Sequence, residues 1–123
     1  MKGPQLEDGY TRIANEILER ISQIPLNGAQ FRILMVIWRY TYGFNRKEHE
    51  LSNKFIAVAT GLNKRQVRRE LKRLIDMNIL NVVKEATFTT ARVLGFNKYF
   101  DSWQVANQTT EGKKDPSPPD NFA

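Results

Sequence analysis

The sequence predicts one mainly α domain with a small β-hairpin near its end. Three observations carry that expectation. Apolar residues recur at helical spacing from Ile13 to Ile75. The pattern then changes to β-branched residues around Val82 and Val83. Between them, two short helical stretches are joined across Thr60–Asn63, as in a helix-turn-helix.

"TRIANEILERIS" places Ile13, Ile17, Leu18 and Ile21 on one helical face, with Gly9 and Thr11 to shape and cap its start. Pro25 breaks the pattern and Asn27 can cap a new helix. In "AQFRILMVIWRYTYGF", Phe31, Leu34, Met35, Trp38 and Tyr42 share a face. Ile33, Val36 and Ile37 widen it until the helix is apolar almost all round, the mark of a central core helix that Gly43 would end. "NRKEHE" reads as a polar connection.

Ser52 then caps a short helix running through Ala59, with Gly61 just past its end. Asn63 caps the next, and Gln66 three residues on makes a pattern like a capping box. That helix buries Val67, Leu71, Leu74 and Ile75. Val82 and Val83 lie on a first strand and "TTARVLGF" on a second, so the turn near Glu85–Thr90 becomes the wing of a winged helix-turn-helix. "NKYFDSWQ" is expected to pack back on the core through Tyr99, Phe100 and Trp103. The organisation is therefore an N-terminal arm over 1–9, a winged-helix domain over 10–104, and a disordered Pro-rich linker or tail over 105–123.

A chain of 123 residues can bury a core without staples. The absence of cysteine excludes disulfides and thiolate catalysis and fits a reducing compartment. "MKGPQLEDGY" has no apolar signal region, and the longest apolar run, Ile33–Trp38, is too short to span a bilayer. A cytoplasmic protein with no membrane partner is expected. Chemistry has little to stand on. No Gly-rich loop precedes a lysine, no Cys/His cluster offers a zinc site, and Glu16 and Glu19 read as a solvated pair. His49 is the only histidine; in a strand, Glu48 and Glu50 would point away from it. The expectation is no enzyme, no cofactor and no metal.

The net charge is +6, which favours a polyanionic partner. The excess is clustered: Lys64, Arg65, Arg68, Arg69, Lys72 and Arg73 face only Glu70 and Asp76 within the same helix. With Leu71 toward the core, Arg65, Gln66, Arg69, Lys72 and Arg73 fall on the far side and Arg68 near the edge. A charged helix face is ordinarily just solvated, but pairing with two carboxylates cannot account for six cations. Double-stranded DNA is the partner that would. Asn63, Lys64, Arg65 and Gln66 stand at the helix N-terminus, where base edges are read; Arg can bond guanine and Gln adenine. Arg68, Arg69, Lys72 and Arg73 come after them, and Ser52, Asn53 and Lys54 open the preceding helix. The wing adds Lys84 and Arg92, with Thr87, Thr89 and Thr90 as further phosphate donors. Phe88 near its tip has two readings: a wedge for a DNA groove, or, as favoured here, packing on the body or a partner subunit.

Three stretches also carry a family resemblance. "EDGYTRIANEILE", then "AQFRILMVIWRYTYGFNRKE" with its apolar helix running into Thr-Tyr-Gly-Phe-Asn, then the two short helices and "MNIL", are together similar to the N-terminal domain of the bacteriophage replication protein O family, the lambda-type origin-binding proteins. The resemblance covers Leu6 to Trp103. It implies a winged helix that binds repeats at a phage or prophage replication origin in the bacterial host cytoplasm. It places base reading on Asn63, Lys64, Arg65, Gln66 and Arg69. It also implies a homodimer or array on DNA, and helicase-loading machinery engaged through a C-terminal region beyond this chain. The alternatives are a winged-helix transcription regulator on an operator, a protein-interaction module and, more distantly, a nuclease.

Overall fold

Asn27 sets the longest apolar helix in place. In the computed structural model, which describes residues 3–105, its Oδ1 accepts from the Gln30 backbone at 2.8 Å. The Gln30 side chain accepts from the Asn27 backbone at 3.0 Å, which completes a capping box. This box opens helix α2 (Gly28–Tyr40), and α1 (Asn15–Ile21) precedes it. The α1 start differs from expectation. Its N-cap is Ala14, without a side-chain bond, so neither Gly9 nor Thr11 caps it.

The core is built on Ile33, Leu34 and Ile37, all fully buried. α1 adds Ile17 and Ile21, while Leu18 is exposed because the α1 contact stripe is narrow. α2 is likewise narrower than an all-round apolar helix: Met35 is 62% exposed. Gly43 does not end α2. Thr41 is the C-cap, a 3-10 turn spans Tyr42–Phe44, and Asn45 takes the left-handed conformation at φ 57°. Gly43 instead lies under two side chains: a Cβ there would come 2.9 Å from Thr11 Oγ1 and 3.1 Å from Arg39 Nη1, so both would have to shift. On this flank Tyr40 stacks on Phe44 and meets the Phe55 edge, with the Arg39 and Arg46 guanidiniums over Phe44.

The next two helices obey the local signals. Ser52 Oγ accepts from the Phe55 backbone at 2.9 Å and opens α3 (Asn53–Thr60), which closes on Gly61 at φ 78°. Asn63 Oδ1 accepts from the Gln66 backbone at 2.8 Å and opens α4 (Lys64–Asp76). Only this half of the expected box forms; the Gln66 side chain makes no reciprocal bond. Val67, Leu71 and Leu74 are fully buried against α2 and α3, and Ile75 is half-buried at the edge.

The sheet has three strands rather than two. β1 (Glu48–Glu50) comes from the segment read as a polar connection, and pairs antiparallel with β3 (Val93–Phe96), which pairs on its other side with β2 (Leu80–Lys84). Two glutamates flanking a histidine carry no strand signal by themselves. The strand is recruited by Leu51, which is 2% exposed and donates its backbone N–H to Arg92 O. Gly95 lets the strands approach, since a Cβ there would sit 3.0 Å from Lys47 O. His49 is half-buried on this strand, with its pKa lowered by burial and by the neighbouring Arg46 charge. A bulge lies between Val82 and Lys84.

The segment after β3 packs back through fewer residues than expected. Trp103 Nε1 donates to Asn97 O at 2.8 Å and its ring meets Phe96 edge-on, whereas Tyr99 is 70% exposed. Val105 still packs against the core. The expected tail otherwise lies outside the described residues.

Candidate nucleic-acid interface

Lys64, Arg68 and Lys72 recur every fourth residue, so they form one line along α4. The line borders a groove of about 790 Å³. Ser52, Asn53 and Lys54 from the start of α3 form one wall; Val82, Glu85, Ala86, Ala91 and Arg92 of the hairpin form the other. Five cations from three elements thus converge on one concave surface, with Glu85 as its one carboxylate. Like charges four apart on a helix repel by a few tenths of a kcal/mol. The convergence therefore costs some stability and creates a positive field that a polyanion would relieve.

The other flank of α4 is organised differently. Glu70 stands three residues after Val67 and four before Leu74, and its side chain is 3% exposed. Its Oε2 accepts from Arg69 Nε at 3.1 Å and from Arg73 Nη1 at 3.0 Å. Its Oε1 accepts from Gln30 Nε2 at 2.9 Å and Asn27 Nδ2 at 3.3 Å. Burial pushes this carboxyl's pKa up. The bonds from Arg69 and Asn27, the Arg73 charge and the Gln30 bond outweigh burial and hold it below the usual carboxylate value.

The thirteen sequence-proposed residues therefore separate. Ser52, Asn53, Lys54, Lys64, Arg68, Lys72 and Arg92 meet in the groove. Arg65 is exposed at the α4 N-terminus, between Asn63, whose side chain caps that end, and Gln66, whose backbone N–H donates to it. Arg69 and Arg73 are not free on the far face: both are tied to Glu70. Lys72 pairs with Asp76 at 2.9 Å, both side chains exposed, a contact worth little in water. Lys84 is exposed and stands outside the groove lining. Among the described residues, no carboxylate lies within ion-pair distance of Lys64, Arg65 or Arg68. Phe88 does not pack on the body; it is 99% exposed.

The residue that sequence reasoning missed is Glu70. Its position beside the Val67–Leu74 stripe was the available signal, but its α2 partners lie 40 and 43 residues away. Among the described residues, no group of three or more His, Asp or Glu is placed to hold a metal ion, and no helix is long and apolar enough to cross a membrane.

A small domain, about half helical, with a three-stranded antiparallel sheet and a cationic groove is the class that fold and surface define. The chain belongs to the bacteriophage replication protein O family, whose model matches residues 3–103. It is 35% identical over 101 residues to DNA replication protein gp18 of Salmonella phage P22, covering 82% of this chain and 35% of that protein. It is 30% identical to replication protein 15 of Enterobacteria phage phi80, over 90% of this chain and 35% of that one. It is also 30% identical to replication protein O of Escherichia phage lambda, over 88% of this chain and 30% of that one. The chain thus spans about a third of the length of these relatives. No solved structure matches it.

Proposed function

We propose that this domain binds double-stranded DNA sequence-specifically at a phage or prophage replication origin and so supports initiation of DNA replication. The observation that carries the reading is the groove, where Lys54, Lys64, Arg68, Lys72 and Arg92 converge from two helices and a hairpin. α3, the Gly61 turn and α4 act as a helix-turn-helix, and the β2–β3 hairpin as its wing. α4 enters the major groove by its N-terminal end. Arg65 reads base edges there, and the groove cations hold phosphate. Membership in a family of phage replication proteins supports the origin as the target. In this reading the domain has no catalytic role and uses no cofactor. It works in the host cytoplasm, as a homodimer on paired half-sites, and reaches the helicase-loading machinery through a region outside this chain.

The test is a duplex titration over a range of salt, with an origin fragment from the parent phage and a scrambled duplex of equal length. About five neutralised phosphates give a slope of log K against log salt of roughly −4 to −5. Preference for the origin fragment supports the reading. A slope near zero, or equal affinity for both duplexes, overturns it.

A further inference from the structure

Phe88 sits at the tip of the β2–β3 loop with its side chain almost wholly in water, 99% exposed. The loop around it is well tied. Thr87 N–H donates to Thr90 O at 2.9 Å, the Thr87 and Thr90 hydroxyls share a bond of 2.8 Å, and Thr87 Oγ1 accepts from the backbones of Thr89 and Thr90. The two legs of this loop, at Glu85–Ala86 and Ala91–Arg92, line the cationic groove. Phe88 follows Ala86 by two residues, so at most about 7 Å of chain separates it from the groove wall.

We propose that Phe88 is an apolar wedge that enters the minor groove of bound duplex DNA and unstacks one base step, an inference that rests on the DNA-binding reading above. Three features favour a base step over another protein surface. The ring is isolated: its loop neighbours are Ala86, Thr87 and Thr89, so no apolar rim surrounds it to build an interface core of ordinary size. A wedge needs only one side chain. The loop also lies on a wall that a duplex seated on α4 would meet, and the Thr89 hydroxyl and Arg92 can take phosphates beside the opened step. Glu85 on the near leg repels phosphate, so the tip rather than the leg is the part that can approach the duplex closely.

The experiment is permanganate probing of thymines, which react when unstacked, with nuclease footprinting for protection and sedimentation for chains per duplex on the same fragment. The probe is the origin fragment with the sequence on both sides of the protected core set to TA steps, which are the most readily opened. The wild-type chain should protect the core and raise reactivity by about fivefold or more at one flanking step. Phe88→Ala should keep the protection and lose the reactive step; Phe88→Leu, still an apolar wedge, should retain it. Protection without a reactive step in the wild type, or a reactive step unchanged in Phe88→Ala, overturns the wedge and leaves DNA binding standing. Phe88→Ala that halves the number of chains per duplex while leaving the step reactive also overturns it, and assigns Phe88 to a second copy of the chain. Absence of protection by the wild type overturns the DNA-binding reading itself, and the wedge with it.

Discussion

Arg69 and Glu70 are neighbours in sequence and partners in space: the Arg69 Nε donates to a Glu70 carboxylate that is 3% exposed. The same carboxylate holds Arg73 and both capping side chains of α2. One acidic residue thus joins the helix bearing the cationic line to the start of the central core helix. Its free energy depends on the carboxyl being ionised.

The first prediction concerns acid. Glu70 has a folded pKa below its unfolded value, so the unfolded chain binds its proton first as pH falls. Its contribution is fully present above about pH 4.3, the ordinary glutamate value, and is lost as pH falls through the depressed folded pKa. Glu70→Gln should cost about 1–3 kcal/mol at neutral pH, the worth of bonds to a buried charged group. Below about pH 4 the gap between the variant and the wild type should narrow. Urea unfolding at neutral pH and at about pH 3 measures it; a gap that stays constant would show that the ionised form is not what stabilises the fold.

The second prediction separates two cations that adjoin in sequence. Arg68 borders the groove and has no carboxylate partner among the described residues; Arg69 is anchored on Glu70. Arg68→Ala should weaken all duplexes alike and reduce the salt slope by about one, with little change in stability. Arg69→Ala should lower stability by about 1 kcal/mol, since its half-exposed guanidinium is screened, and should alter the salt slope less than Arg68→Ala does. Salt titrations of both variants, with melting curves beside them, decide. A larger slope change for Arg69 would mean that it leaves Glu70 for phosphate on binding.

The sequence made legible whatever depends on near neighbours. Ser52, Gly61 and Asn63 mark the ends of α3 and α4 by chemistry that acts over three or four residues, and the elements form where those signals stand. The change to β-branched residues marked β2 and β3. β1 was hidden because Glu48, His49 and Glu50 become a strand only by pairing with Val93–Gly95. The separation of the six α4 cations was hidden for the same reason. A helical wheel measures their angles but cannot show that Asn27 and Gln30 close over Glu70 and fix two of the arginines there.

Gly61 supplies the third prediction. Its φ of 78° is left-handed, and an added Cβ would come within 3.3 Å of Arg32 Nη2, whose guanidinium bonds the Thr60 carbonyl. Gly61→Ala should destabilise the domain by about 1–2 kcal/mol, the cost of an L side chain in that region. Gly61→Asn should cost less, because Asn tolerates the conformation. Denaturant midpoints of the two variants check the order. An Ala variant as stable as the wild type would mean that the turn between α3 and α4 relaxes without strain.

The last prediction concerns the α4 N-terminus. Arg65 is exposed and free of carboxylates among the described residues, and stands directly after Lys64, the first residue of the helix. The Asn63 side chain beside it is held by its bond from the Gln66 backbone N–H, so the helix start is capped and Arg65 projects from a fixed turn. A side chain so placed can bond two acceptors of a guanine. Arg65→Ala should therefore cost about 1–3 kcal/mol on the cognate duplex, much less on scrambled DNA, and relax preference at one base pair. Leu71→Ala is the control: it removes a fully buried side chain, and should cost about 2–5 kcal/mol of stability through a cavity, with binding lost only as folding is lost. Both variants are measured on cognate and scrambled duplexes at two salt concentrations, below the melting point of each. Equal losses on the two duplexes for Arg65→Ala would show that this end of α4 grips the backbone, and that base reading belongs to another part of the surface.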